Sequence, residues 1–127
     1  MPKTVYDTRF FIELYYTNNH KILQKINTQK RCREKYISTI VIHEIYKLTL
    51  MREGRETATL RTTLLKKDFK TIPVDTEIAE ISAELRHKYN LSMGDSIIAA
   101  TVVKLKATCI SDDPHFQRIK EIKTTWI

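Results

Sequence analysis

Glycine and proline are scarce in this chain, with only two glycines and three prolines among 127 residues. This scarcity excludes collagen-like and low-complexity architectures. It also excludes glycine-rich loops that cradle nucleotide phosphates, because Gly54 and Gly94 are far apart. With 42% hydrophobic residues, the composition predicts one helix-rich globular domain spanning residues 1–127.

Cysteines and long apolar runs are also rare. Cys32 lies in the basic stretch KRCREK and Cys109 in the apolar stretch ATCIS, which is no zinc-ligand spacing and favours two reduced thiols over a disulfide. No apolar run approaches the roughly 18 residues of a membrane span, and MPKTVYDTRF lacks the apolar core of a signal peptide. The expected location is therefore the cytoplasm, without membrane attachment.

Acidic residues are outnumbered by basic ones, 15 against 22, which gives a net charge of +7. The basic residues form two clusters along the sequence: Lys21, Lys25, Lys30, Arg31, Arg33 and Lys35, and then Arg61, Lys66, Lys67 and Lys70. Such clusters attract nucleic acid phosphates but also occur as solvated surface. Lys66 and Lys67 are the candidates for contact with the phosphates of a nucleic acid.

Short apolar segments alternate with helical patterns along the chain. Strands are predicted at 4–7, 35–39, 70–74, 107–111 and 122–127, and helices at 8–17, 19–31, 40–52, 55–67, 75–90 and from position 95 onward. This alternation predicts an α/β fold with a parallel sheet covered by helices on both faces. Functional sites in such sheets gather at the carboxyl ends of strands, near a switch in strand order.

Acidic side chains follow two of the predicted strands. Asp7 comes directly after KTVY, and Asp112 and Asp113 follow ATCIS. Asp7 has an alternative, purely structural role as the N-cap of the next helix. Asp112 and Asp113 have an alternative structural role at the start of a turn before Pro114.

Two further acids lie on predicted helices. Glu44 shares its helical face with mostly apolar residues, so we interpret that face as core; they are Ile40, Val41, Lys47, Leu48 and Met51. Asp95 opens the apolar helix that continues through IIAATVV, although an acid there also complements the helix dipole. Burial of such carboxylates requires partners or a nearby cation.

Acids from two strand ends and two helices can converge at one edge of a parallel sheet. Their mutual repulsion requires a compensating ion, and oxygen ligands favour Mg²⁺ or Mn²⁺. On a basic protein, that arrangement is typical of metal-assisted phosphodiester hydrolysis.

The order of these motifs, VYDT, IHEIYKL, LSMGDSIIAAT and CISDDPHF, resembles the PIN domain along essentially the whole chain, and most resembles its VapC-type toxins. The resemblance implies an α/β/α sandwich and an endoribonuclease that depends on Mg²⁺ or Mn²⁺. It also implies a VapB-like antitoxin partner, an RNA substrate and a homodimer. Position by position, the family's four acids correspond to Asp7, Glu44, Asp95 and Asp113.

The same resemblance supplies accessory residues. Ser111 is expected to support the fourth acid by a hydrogen bond, and Thr8 and Asp112 adjoin matched acids. Arg9 follows Asp7 and Thr8 where the family commonly has a small or aliphatic residue, and it could pair with one of the acids.

The acids also allow two other functional interpretations. A phosphatase of the haloacid dehalogenase type needs a second aspartate two residues after the first, where this chain has Arg9. The second is a catalytically inactive PIN-like module that binds RNA or protein, with its acids acting only as caps and turns. The four histidines, including His43 and His115, are scattered along the sequence and suggest no ligand spacing.

Overall fold

The computed structural model describes residues 2–29 and 34–126. The strands are β1 (Lys3–Tyr6), β2 (Glu34–Ser38), β3 (Lys70–Ile72), β4 (Thr108–Ile110) and β5 (Lys123–Thr125). The helices are α1 (Thr8–Tyr16), α2 (His20–Gln29), α3 (Thr39–Glu53), α4 (Arg55–Asp68), α5 (Thr76–Tyr89), α6 (Met93–Leu105) and α7 (Pro114–Gln117). Within these residues, every strand and long helix expected from the sequence is present with small shifts at the ends, while positions 30–31 of the second expected helix and 127 of the last expected strand lie outside them.

The five strands form one sheet in the order β3-β2-β1-β4-β5, and every neighbouring pair is parallel. The chain moves outward from β1 to β2 and β3, and then crosses back to β4 on the other side of β1. The switch in strand order therefore lies between β1 and β4. In a sheet of this kind, that is where a crevice opens at the carboxyl ends of the strands.

Helices cover both faces of the sheet, as the parallel topology requires. Since parallel crossovers are right-handed, α1 to α4 lie on one face and α5 to α7 on the other. In agreement, α3 packs against α1 and α4, whereas α6 packs against α5 and α7. Helices α3 and α6 also contact each other, which brings elements from the two layers together.

A cluster of aromatic side chains fixes the beginning of α1. Tyr6, Phe10 and Phe11 are completely buried, and the Tyr6 ring lies 4.8 Å from Phe10 and 5.1 Å from Phe69, centroid to centroid, in edge-on contacts. Such ring pairs add to the free energy gained from burial alone. The junction from β1 to α1, which contains Asp7 and Thr8, is therefore held by core packing.

Local signals predicted two helix boundaries correctly. The Asp75 side chain accepts a hydrogen bond from the Ile78 amide at 2.9 Å and caps α5. Gly54 ends α3 and precedes α4 with a φ of +92°, a conformation that side chains other than glycine rarely adopt. Pro73 follows β3, which is an edge strand, as the proline predicted.

Some expectations concern residues outside the described ranges. Cys32, Lys30, Arg31 and Arg33 lie there, so the reduced state of Cys32 and the clustering of those basic residues remain predictions. Cys109 is a buried free thiol in β4. Within residues 2–29 and 34–126, the helices are all too short or too polar to cross a bilayer.

Candidate metal centre

Asp7 lies at the switch in strand order and is 97% buried, with a relative exposure of 3%. Its amide donates to the Ile110 carbonyl at 3.1 Å, which continues the pairing of β1 with β4. Its side chain makes no capping bond to α1, although Asp7 occupies the N-cap position. Instead, the Ser111 hydroxyl donates to Asp7 Oδ2 at 2.7 Å. The N-cap role weighed from the sequence is therefore wrong for this side chain.

The charge of Asp7 is poorly compensated. Burial, together with the nearby carboxylates of Asp95 and Glu44, raises the pKa of this carboxyl from its ordinary value of 3.8 to about 7. The Ser111 hydrogen bond and the Thr8 backbone oppose the rise in pKa. A carboxylate held in this way gains from a nearby cation, because the cation favours the charged form.

Glu44 approaches the same region from α3. The Thr8 hydroxyl donates to Glu44 Oε1 at 2.6 Å. On the other side, a Cβ atom added to Gly94 would lie 3.3 Å from Glu44 Oε2, closer than most Cβ contacts. Gly94 in α6 therefore leaves room for the Glu44 carboxylate between the two helices.

The interpretation of the Glu44 face as core is correct for Val41 but wrong for Lys47 and Met51. The buried face of α3 carries Val41, Ile45 and Thr49, whereas Met51 is 74% exposed. Ile40, Glu44, Leu48 and Met51 lie on the adjacent stripe of the helix, which borders the core instead of entering it. Glu44 is consequently half-buried.

This stripe of α3 and the start of α6 line an open groove. The groove has a volume of about 430 Å³ and is lined by Ile40, His43, Glu44, Lys47, Leu48, Met51, Met93 and Gly94. His43 directly precedes Glu44 and lies about 100° around the helix from it. It is exposed, but it lines the same groove, because adjacent helical residues can border one wide depression.

Asp95 lies in the first turn of α6, where Ser92 is the N-cap and its hydroxyl accepts from the Asp95 amide at 3.2 Å. The Asp95 side chain is half-buried. Burial raises the pKa of Asp95, and the neighbouring Asp113 carboxylate raises it further, while Ser92 and His115 lower it. Asp95 does lie in the first turn of α6, where an acid complements the helix dipole. That explanation does not account for the Asp113 carboxylate beside it.

Asp113 follows β4 and is the N-cap of α7. Its Oδ1 atom accepts from the His115 amide at 2.9 Å and lies 2.8 Å from His115 Nδ1. Its own amide donates to Ser111 Oγ at 3.0 Å. Ser111 therefore links Asp7 to the Asp113 backbone, and Asp113 both begins a turn and joins the acidic region.

Side chains of α6, of the segment after β4 and of α7 place potential metal-ligand atoms close together. One potential ligand atom from each of Asp95, Asp113 and His115 lies within 4.8 Å of the others. His115 is not among the ligands predicted from the sequence, because the four histidines show no ligand spacing relative to one another. The sequence feature that could have identified His115 is its position two residues after Asp113, at the start of a short helix.

Asp112 is oriented differently from Asp113. Arg9 Nε contacts Asp112 Oδ1 at 2.5 Å, and Arg9 Nη2 contacts Oδ2 at 3.3 Å. Arg9 therefore does pair with an acid, and that acid is Asp112. This partly exposed ion pair compensates the Asp112 charge beside the acidic region.

Lys66 and Lys67 lie away from the acids. They are exposed in the last turn of α4 and, with Lys35 and Lys70, border a depression at the amino ends of β2 and β3. The acids follow the carboxyl ends of β1 and β4. Lys66 and Lys67 therefore lie at the opposite end of the strands from the acids, because α4 returns the chain to that end.

The donors fit a hard divalent cation. Four carboxylates approach from β1, α3, α6 and the segment after β4, and the shifted pKa of Asp7 and Asp95 arises from burial together with their acidic neighbours. Mg²⁺ and Mn²⁺ prefer oxygen ligands of this type. The four matched acids thus belong to one electrostatically coupled region.

Comparison with known proteins is consistent with this architecture. The sequence model of the PIN domain matches residues 4–122. Among solved structures, DNA-bound VapBC from Salmonella typhimurium is similar with a TM-score of 0.81 at 17% identity, covering 99% of this chain and 98% of that chain. VapBC2 from Rickettsia felis, bound to a promoter DNA fragment, is similar with a TM-score of 0.79 at 15% identity, covering 97% of each chain.

A third similar structure is VapC20 of Mycobacterium tuberculosis, a toxin that cleaves the sarcin–ricin loop. The TM-score is 0.76 at 18% identity, with coverage of 95% of this chain and 99% of that chain. No curated protein matches the sequence significantly. At these identities, the structural similarities demonstrate a shared fold.

Proposed function

The chain belongs to the PIN domain family, and from this premise we propose that it is a metal-dependent endoribonuclease, the toxin of a toxin–antitoxin pair. The observation that carries the proposal is the buried Asp7 carboxylate, whose pKa of about 7 reflects burial and the acids beside it. A structural aspartate in that position would gain more from capping α1, which Asp7 does not do.

In the proposed site, Asp7, Glu44, Asp95 and Asp113 hold Mg²⁺ or Mn²⁺. When bound, the ion would supply an acidified water and would neutralise negative charge on the scissile phosphate. Ser111 orients Asp7 through its 2.7 Å hydrogen bond, and Thr8 orients Glu44 through its 2.6 Å bond. These two hydroxyls position ligands and do not themselves react.

RNA is the proposed substrate because the chain is basic and the acids are suited to phosphodiester hydrolysis. One structurally similar toxin is itself described as cleaving the sarcin–ricin loop. Lys66 and Lys67 remain predicted RNA contacts, at a distance from the acids. They can contribute to affinity but not to the neutralisation of charge at the cleaved bond.

The proposed partner is a VapB-like antitoxin protein, and the proposed assembly includes a homodimer of this chain. Several structurally similar proteins are VapBC or FitAB complexes, including FitAB bound to DNA. Co-expression of the chain with candidate VapB-like antitoxin proteins tests the partnership. We expect co-purification and loss of RNA cleavage in the complex.

Cleavage of a labelled total RNA preparation tests the enzymatic proposal. We expect endonucleolytic products with Mn²⁺ or Mg²⁺, none with excess EDTA, and none from Asp95→Asn with either ion. The matched control is Asp68→Asn, which removes a charge at the end of α4, on the lysine side of the sheet. Cleavage that persists in EDTA or in Asp95→Asn would contradict the proposal.

A non-catalytic RNA-binding module is the second candidate. The exposed lysines at the amino ends of β2 and β3 favour it, because they form a basic surface that does not depend on the acids. If wild type and Asp95→Asn bind RNA equally and neither cleaves any RNA with Mn²⁺ or Mg²⁺, this second function replaces the first.

A further inference from the structure

We infer that His115 is an additional ligand of the divalent ion, beside Asp95 and Asp113, and that it makes the site prefer first-row transition ions such as Mn²⁺ over Mg²⁺. The inference rests on the proposed function, since it concerns the same metal site. It adds a nitrogen donor to a region that the four matched acids would make purely oxygen-ligated.

The position of His115 is fixed by the local backbone. Pro114 is at the first position of α7, and Asp113 caps the helix by accepting from the His115 amide. The next residue, Phe116, is completely buried and anchors the turn in the core. The imidazole is therefore held beside Asp113 by its neighbours on both sides.

The distances suit a shared ion. Adjacent ligands around an octahedral ion with bonds of roughly 2.1 Å lie about 3 Å apart, and opposite ligands about 4.2 Å apart. His115 Nδ1 lies 2.8 Å from Asp113 Oδ1, a separation typical of adjacent ligands. The ligand atoms of Asp95, Asp113 and His115 all lie within 4.8 Å of one another, so small side-chain rotations bring all three onto one ion.

The His115 ring is available for this role. Its side chain is 57% exposed and that of Asp113 is 20% exposed, so an ion can reach both from solvent. With its proton on Nε2, the ring presents the Nδ1 lone pair beside Asp113. In the other tautomer, the same Nδ1 atom donates to Asp113 Oδ1, which holds the ring close to the site in the absence of metal.

The donor type determines the ion preference. Mg²⁺ is bound almost entirely through oxygen and retains several waters, whereas first-row transition ions accept imidazole nitrogen readily. A site of carboxylates alone does not distinguish Mg²⁺ from Mn²⁺ by donor chemistry. Addition of His115 strengthens binding of Mn²⁺ more than binding of Mg²⁺.

The direct test is pulsed electron paramagnetic resonance of Mn²⁺ bound to the full chain. Nuclear modulation from ¹⁴N reports a nitrogen ligand on the ion without any dependence on catalysis. We expect this modulation in wild type and its loss in His115→Gln. His43→Gln is the matched control, because His43 is an exposed histidine in the groove beside Glu44, and we expect the modulation to persist in that variant.

Affinities provide the second readout. Titration of Mn²⁺, with Mg²⁺ as competitor, is expected to show roughly tenfold weaker Mn²⁺ binding in His115→Gln and less than a twofold change for Mg²⁺, as the donor preferences indicate. Equal losses for the two ions, or ¹⁴N modulation that survives in His115→Gln, would overturn the inference.

The outcomes separate this inference from the proposed function. If wild type binds Mn²⁺ without ¹⁴N modulation and Asp95→Asn abolishes that binding, the His115 inference fails and the proposed metal site stands. If wild type binds neither Mn²⁺ nor Mg²⁺, both fail. Circular dichroism of the metal-free variants verifies folding, which we expect to be intact because the His115 ring is mostly exposed.

Discussion

Asp7 and Asp75 occupy equivalent local positions and have opposite environments. Each follows a parallel strand and is the N-cap residue of the next helix. Asp75 caps α5 through the Ile78 amide and pairs with Lys104, and both contacts lower its pKa. Asp7 makes no capping bond, and burial raises its pKa to about 7.

The difference arises from where their strands lie in the sheet. Asp75 follows β3, an edge strand, so solvent and Lys104 reach it easily. Asp7 follows β1, the central strand, where acids from α3 and α6 converge. The same residue in the same local context is thus structural at an edge and a candidate ligand at the switch in strand order.

The largest expected effect separates the two aspartates in catalysis. Asp7→Asn is expected to reduce RNA cleavage by roughly a thousandfold or more, because it removes a charged ligand of the ion. Asp75→Asn is expected to stay within twofold of wild type. Single-turnover cleavage of a labelled RNA with Mn²⁺ measures both. Equal losses in the two variants would eliminate the functional distinction.

The next effect concerns stability of the metal-free protein. Because the folded-state pKa of Asp7 is above its unfolded value, ionisation opposes folding, and this contribution worsens as pH rises from about 4 to about 7. Asp7→Asn is therefore expected to be more stable than wild type at pH 8, by at most roughly 4 kcal/mol, since the pKa is 3.8 in the unfolded chain and about 7 in the folded protein.

Urea denaturation in EDTA at several pH values measures this difference. It is expected to shrink below pH 7 and to vanish only below about pH 3, where wild-type Asp7 is protonated in both states. Asp75 has a lowered pKa, so its contribution has the opposite sign: it stabilises above the unfolded pKa and is lost in acid. A destabilised Asp7→Asn at pH 8 would contradict the account of Asp7.

A smaller effect is expected from removal of the structural cap. Asp75→Ala loses the bond to the Ile78 amide and is expected to lower the melting temperature by a few degrees, as loss of an N-cap generally does. Differential scanning calorimetry measures this. Mn²⁺ affinity is expected to be unchanged, and a weakened Mn²⁺ affinity would show that α5 also organises the metal site.

The smallest expected effect concerns RNA binding by Lys66 and Lys67, which lie at the end of the sheet opposite Asp7. Lys66→Gln with Lys67→Gln is expected to weaken RNA binding a few-fold and to reduce the salt slope by up to about two, roughly one per phosphate contact. Cleavage at saturating RNA is expected to be unchanged. Binding at several salt concentrations measures it, and an unchanged slope would classify these lysines as solvated surface.

Much of the fold was predictable because its signals are local. Alternation of strands and helices predicted the parallel sheet, Asp75 predicted a cap, and Gly54 predicted a junction between two helices. Position after a strand also predicted that Asp7 and Asp113 lie at one edge of the sheet. These features depend on a residue's immediate neighbours and on the general properties of parallel sheets.

Other features depend on packing between distant segments. The Glu44 stripe of α3 borders a groove because helix rotation is set by contact with the sheet, and Met51 on that stripe is exposed. The pairing of Arg9 with Asp112 joins residues 103 positions apart. His115 reaches Asp113 only through the capped turn before α7. Periodicity and spacing do not encode these contacts.

Thermal unfolding with and without Mn²⁺ tests most directly whether the converging acids form a metal site. A ligand that binds only the folded state stabilises it by about 2.7 kcal/mol at 100 times its dissociation constant. Wild type and Asp75→Asn are expected to show equal Mn²⁺-dependent increases in melting temperature, whereas Asp7→Asn with Asp95→Asn shows none and is at least as stable as wild type in EDTA. An increase that persists in the double variant would contradict the assignment of the metal site to these acids.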